Sequence, residues 1–236
     1  MPIHPKPLKL CYEKRIQIFV IPMKVVLLQA NSGAQKEKPG KQKYAELYLN
    51  SRIGMSEYTD KELLEMFREQ DFKEFAFKKI IRKYQERLYW HIRKIVIIHE
   101  DSDDILQNTF IKVWKGLDHF REDSKLYTWL YRIATNESLT FLKQKRKRQY
   151  VPFLDVETQL MNKLESDQYF SGDQIQKKLQ KAILKLPEKQ RLVFNMKYFD
   201  DLKYEDMSEI LDTSVGALKA SFHHAVKKIE KYLREN

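Results

Sequence analysis

Cysteine occurs once in 236 residues, at Cys11. That excludes an intrachain disulfide framework and a multi-cysteine zinc site, and points to a reducing, cytoplasmic setting. Six glycines and seven prolines fall well below the roughly 12% of average chains, which argues against sandwiches, barrels and Rossmann sheets, all rich in tight turns. No apolar run reaches the roughly 18 to 20 residues that span a bilayer; the longest stretch, Ile16 to Leu28, is broken by Gln17, Pro22 and Lys24. No Ser-His-Asp set, phosphate loop or zinc-ligand spacing is present, so neither an enzyme nor a cofactor is expected. What remains is 42% hydrophobic and 33% charged residues, the balance of a globular chain built from long helices.

The charge is unevenly placed. The 44 basic and 33 acidic residues leave a net +11, weak evidence of nucleic-acid binding by itself. Clustering says more. Lys143, Lys145, Arg146, Lys147 and Arg148 lie within six residues, and Lys219, Lys227, Lys228, Lys231 and Arg234 face one acid, Glu230, between residues 214 and 234. Residues 155–173 between them are acidic (Asp155, Glu157, Glu165, Asp167, Asp173). Two basic blocks with an acidic spacer suggest two modules on a linker.

Residues 1–54 hold Pro2, Pro5, Pro7, Pro22 and Pro39 and show no sustained helical period. The segment after Leu28 fits a signal-cleavage site only loosely. The plainer expectation is a poorly ordered extension, with the functional protein beginning near Met55. Thr59 and Glu62 then form a capping box. Apolar residues recur at three and four through Phe72, Ala76, Ile80, Tyr84, Leu88, Ile92 and Ile95. Ser102, Asp103 and Asp104 read as the start of a helix over 102–117, and Ser124 as the cap of a helix over 124–148. Residues 149–172 lack a period and contain Pro152 and Gly172, so they read as linker. Helical period resumes at Asp173. Pro187 is placed at a first helical turn.

Helices over 204–211 and 215–233, joined by Asp212-Thr213-Ser214, match helix-turn-helix geometry. The second helix of that motif enters the major groove, where Ser214, Lys219, Ser221 and His223 would meet bases and Lys227 a phosphate. An ordinary helical hairpin with a solvated basic face is the bland alternative. His223 and His224 point about 100° apart on a helix and make no joint metal site. In helix 124–148, Tyr127, Trp129, Tyr131 and Phe141 accompany Lys125, Arg132 and the basic cluster. Aromatics stack on unpaired bases while cations hold the backbone, which suits capture of single-stranded DNA. Trp129 taken alone reads as core.

Several segments carry a family resemblance. Asp103 through Trp114 (DDILQNTFIKVW), and Phe120-Arg121 through Asn136, resemble the second region of bacterial sigma factors. Leu186 through Arg191, Tyr204 through Asp206 and Ser214 through Lys219 resemble the fourth. The layout over residues 56–236 is similar to the extracytoplasmic-function group of the sigma-70 family. The resemblance implies an all-α protein of two small helical domains, 55–149 and 173–236, joined by a flexible linker at 150–172. It implies binding of core RNA polymerase and promoter DNA. Asp104, Gln107, Asn108 and Ile111 would contact the clamp helices of the largest polymerase subunit. Arg132, Asn136, Lys143, Lys145, Arg146 and Arg148 would face the minus-ten element, and helix 214–233 the minus-thirty-five element. Many family members are held by an anti-sigma factor, and such a partner is left open. Ala220-Ser221 departs from the Ser-Arg common in relatives, so promoter sequence does not carry over. A plain helix-turn-helix regulator acting without polymerase is the rival reading; it leaves residues 102–148 unexplained.

Overall fold

The computed structural model describes residues 58–149 and 174–235. The expectations for residues 1–54 and for the linker at 150–172 lie outside them. Among the described residues are eight α-helices and one short 3-10 turn: α1 Asp60–Arg68, α2 Lys73–Val96, α3 His99–Gly116, the turn Leu117–His119, α4 Leu126–Gln149, α5 Gln174–Leu184, α6 Glu188–Tyr198, α7 Tyr204–Leu211 and α8 Val215–Glu235. The described residues divide into two compact units, with the boundary between Lys78 and Lys79.

In the first unit, α1 opens on the expected capping box. The Glu62 amide donates to Thr59 Oγ1 at 3.3 Å, and the Thr59 amide donates to Glu62 Oε2 at 2.8 Å. Each satisfies an amide that the helix start would leave unpaired. Leu63, Leu64, Met66 and Phe67 are buried, and Phe67 meets Phe77 at 6.1 Å.

The second unit holds the rest. Its α3 begins earlier than its sequence suggests. Ile97 takes a left-handed conformation (φ 67°), an uncommon one for a β-branched residue, and Ile98 is the N-cap. His99 therefore starts the helix, and Ser102 lies a full turn inside. The Ser102 hydroxyl donates back to the Ile98 carbonyl at 2.6 Å instead of capping. The acids of the first turn are Glu100 and Asp101. Pro187 likewise sits one position before its expected place, as N-cap of α6. Helices α3 and α4 pack along their lengths, burying Ile105, Leu106, Phe110 and Val113 of α3 with Leu130, Ala134 and Leu142 of α4. Helices α5, α6 and α8 share a core of Ala182, Ile183, Leu186, Phe194, Ala225 and Ile229. Between α7 and α8, Asp212 adopts the left-handed conformation (φ 49°, ψ 50°), a helix-ending geometry. That gives the short turn of a helix-turn-helix.

Candidate nucleic-acid and polymerase interfaces

The start of α8 is ordered by its own sequence. The Ala217 amide donates to Ser214 Oγ at 3.3 Å, an N-cap bond, which spends part of the hydroxyl's capacity locally. Leu218, Ala225 and Ile229 face inward. At 100° per residue, Lys219, His223 and Lys227 then fall on one outward stripe, and all three are exposed. Ser221 lies on a different arc and is half-buried. The Lys219 ammonium stands 5.7 Å from the Tyr204 ring centroid, and Lys197 stands 5.6 Å from the same ring. Tyr204 thus braces Lys219 from the preceding helix, a contact that sequence spacing alone did not suggest.

On α4, Arg132, Asn136 and Lys143 share a second exposed stripe. Lys145 lies elsewhere and pairs with Asp101 of α3 at 2.6 Å. The side chains of Arg146 and Arg148 lie outside the described residues. Trp129 is half-buried rather than fully in the core; its ring lies 5.0 Å from that of Phe120 and close over Gly116. On α3, Asp104 and Asn108 are exposed, and Gln107 and Ile111 half-buried beside them.

Sequence reasoning missed a further cluster, where the turn after α6 meets α2 and α4. Asp200 is the centre of it, its side chain only 4% exposed. One carboxylate oxygen accepts from Lys94 Nζ at 2.5 Å, the other from His91 Nδ1 at 2.8 Å. With its proton on Nδ1, His91 accepts the Thr135 hydroxyl at Nε2, 2.9 Å away. The amide of Asn195 donates to the Lys94 carbonyl at 3.3 Å, one of the last four carbonyls of α2 that the helix itself cannot satisfy. The Lys94 ammonium also lies 5.1 Å from the Phe199 ring. One turn further on, the buried Asp206 of α7 accepts from Lys125 at 3.1 Å. Burial, and then the neighbouring Asp206 carboxylate, raises the phenol pKa of Tyr127. Burial likewise raises the phenol of Tyr131, which packs 4.8 Å from the His91 ring. A basic and aromatic face of α2 and α4 is therefore covered by two carboxylates from the C-terminal helices.

Among the described residues no group of three or more metal-binding side chains converges, and no helix is long and apolar enough to cross a membrane.

Comparison with known proteins gives the same two segments a common context. Residues 80–148 match the family described as Sigma-70 region 2, and residues 176–229 match Sigma-70, region 4. The chain is 30% identical over 168 residues to the ECF RNA polymerase sigma factor SigW of Bacillus subtilis, covering 68% of this chain and 90% of that protein. It is 30% identical over 187 residues to the ECF RNA polymerase sigma-E factor of Escherichia coli, covering 73% and 93%. Two solved structures share the fold. One is CnrH in complex with the cytosolic domain of CnrY (TM-score 0.56, 20% identity, 75% of this chain and 98% of that one). The other is the sigma factor RpoE with the anti-sigma factor NepR from Bartonella quintana (TM-score 0.53, 21% identity, 67% and 96%).

Proposed function

Because this chain belongs to the extracytoplasmic-function group of the sigma-70 family, we propose how its own residues divide the work of a promoter-directing subunit. A sigma factor binds core RNA polymerase, carries it to promoters and assists strand opening. We assign residues 55–149 to polymerase and the minus-ten element, residues 173–236 to the minus-thirty-five element, and 150–172 to the connection. Asp104, Gln107, Asn108 and Ile111 make the polymerase contact. Arg132, Asn136, Lys143, Lys145, Arg146 and Arg148 serve the minus-ten element. Ser214, Lys219, Ser221, His223 and Lys227 serve the minus-thirty-five element. The chain acts as a non-enzymatic initiation factor in the cytoplasm, and an anti-sigma factor is its proposed further partner.

The observation that carries this reading is the pair of exposed polar stripes on separate helices. Lys219, His223 and Lys227 lie on α8, and Arg132, Asn136 and Lys143 on α4. A lone helix-turn-helix regulator would need only the first. The test is transcription in vitro with core polymerase and a library of genomic fragments. Specific transcripts that depend on the added chain are expected. Duplex binding with no polymerase-dependent transcript would favour the plain regulator.

A further inference from the structure

We propose that His223 and His224 form a proton-dependent phosphate clamp on α8, so that the chain takes up protons when it binds duplex DNA. The clamp rests on the assignment of α8 to the minus-thirty-five element. It adds His224 to the contact residues and the proton to the ligands.

Helical geometry places the pair. Leu218, Ala225 and Ile229 define the inward face of α8. At 100° per residue the opposite line of the helix runs past Gly216, Ala220 and Lys227, and His223 and His224 lie about 50° to either side of it. Both are exposed. Over the first turns that line carries almost no side chain. A Cβ on Gly216 would meet nothing within 4 Å, and Ala217 and Ala220 add only methyl groups. A helix so bare can sink towards the floor of the major groove. Its two flanks then face the sugar-phosphate walls, and each flank carries an imidazole.

The rings face each other at 6.1 Å, and among the described residues neither makes a hydrogen bond or an ion pair. On α8 itself, Lys219 and Lys227 lie one turn from His223, Lys228 lies one turn beyond His224, and Glu230 lies about two turns from His223. Helices α6 and α7 bring Lys197 and Tyr204 to the Lys219 end. Helix α5 brings Lys185 to Tyr232 at the other end. Histidine is the side chain whose ordinary charge change falls between pH 5 and 8. A phosphate beside an imidazole favours its charged form, and a charged N–H donates more strongly to the phosphate oxygen than a neutral one. The complex therefore holds more protons than the free chain. Affinity rises as pH falls, and levels off once the rings are charged in both states.

The experiment measures fluorescence anisotropy of a short labelled duplex of mixed sequence with the full chain, since phosphate contacts do not depend on sequence. From about pH 8 to about pH 6 the wild-type affinity should rise roughly tenfold or more. The slope of log affinity against log salt should steepen by about 0.9 for each imidazole engaged. His223→Gln combined with His224→Gln, checked by circular dichroism at both pH values, should lose most of both changes. His224→Arg carries a permanent cation; it should bind more tightly than wild type at pH 8 and keep only the response of His223. His119→Gln is the control, an exposed imidazole outside α8, and its pH response should match wild type. A full pH response in the double glutamine variant would overturn the clamp. So would a response with no change of salt slope, which places the protons away from phosphate, or a His224→Arg variant no tighter than wild type at pH 8. Polymerase-dependent transcription by the same proteins is scored separately. Proton-linked duplex binding without transcripts would sink the sigma-factor reading and keep the clamp; transcripts with a flat pH response would do the reverse.

Discussion

At the residue scale Asp200 is governed by opposing effects. Burial is the largest and by itself raises the carboxyl pKa; the hydrogen bond from His91, and then the Lys94 ammonium, act the other way and prevail, leaving it below the ordinary value. The groups facing it are His91 and Lys94 of α2 and, more distantly, Tyr131 of α4. A lowered carboxyl pKa means that the folded chain binds fewer protons than the unfolded chain between the two values. The stabilisation is therefore complete above the ordinary carboxylate pKa of about 3.9 and is lost as pH falls towards the folded value. Urea unfolding of wild type and Asp200→Asn should differ by a constant amount from about pH 5 to pH 7, and the two should converge below about pH 4. A difference that stays constant down to pH 3 would show that Asp200 is not held as a paired anion.

At the scale of elements, the contact of α3 with α4 depends on one small residue. Gly116 ends α3 in an ordinary helical conformation (φ −95°, ψ −16°), so its role is space rather than backbone freedom. A Cβ there would stand 3.2 Å from Trp129 Cζ2, and Phe120 limits the ring on another side. Gly116→Val should lower stability by roughly 1–3 kcal/mol, the usual cost of overpacking, read as a shift in denaturation midpoint. An unchanged midpoint would mean that the indole relocates freely. The sequence makes the elements legible wherever the cause is local. Thr59 and Glu62 cap α1 because partners three residues apart settle it, and the period of α2 is visible because one face is apolar throughout. Ser102 misleads because the helix start is fixed by the backbone turn at Ile97, which no capping pattern announces. The stripes Lys219–His223–Lys227 and Arg132–Asn136–Lys143 follow from helical spacing. The Asp200 cluster does not, since His91 and Asp200 stand 109 residues apart in the chain, and Phe199-Asp200-Asp201 reads as an ordinary polar turn. Only tertiary packing reveals that its middle carboxylate is dry.

At the scale of the whole molecule, the proposed polymerase surface is the side of α3 that the helical bundle leaves open. Ile105, Leu106, Thr109, Phe110 and Val113 bury one side of α3. Asp104 and Asn108 remain exposed on the other side, with Gln107 and Ile111 half-buried next to them. This arc contributes none of the groups that hold Asp200 or Asp206, so it is separate from that buried cluster. Polar groups there set register, and Ile111 adds a small apolar contact that desolvates well. Gln107→Ala combined with Asn108→Ala should weaken core polymerase binding by about tenfold or more, the cost of truncating central interface contacts. Affinity for a labelled oligo-dT strand should stay near wild type, because the residues proposed to meet the strand, Arg132, Asn136 and Lys143, are untouched. The measurement is a polymerase titration of the double variant beside wild type, with circular dichroism to establish equal helix content. Wild-type polymerase affinity in the folded double variant would move the docking surface off this arc of α3. A parallel loss of strand binding would mean that the two surfaces are coupled.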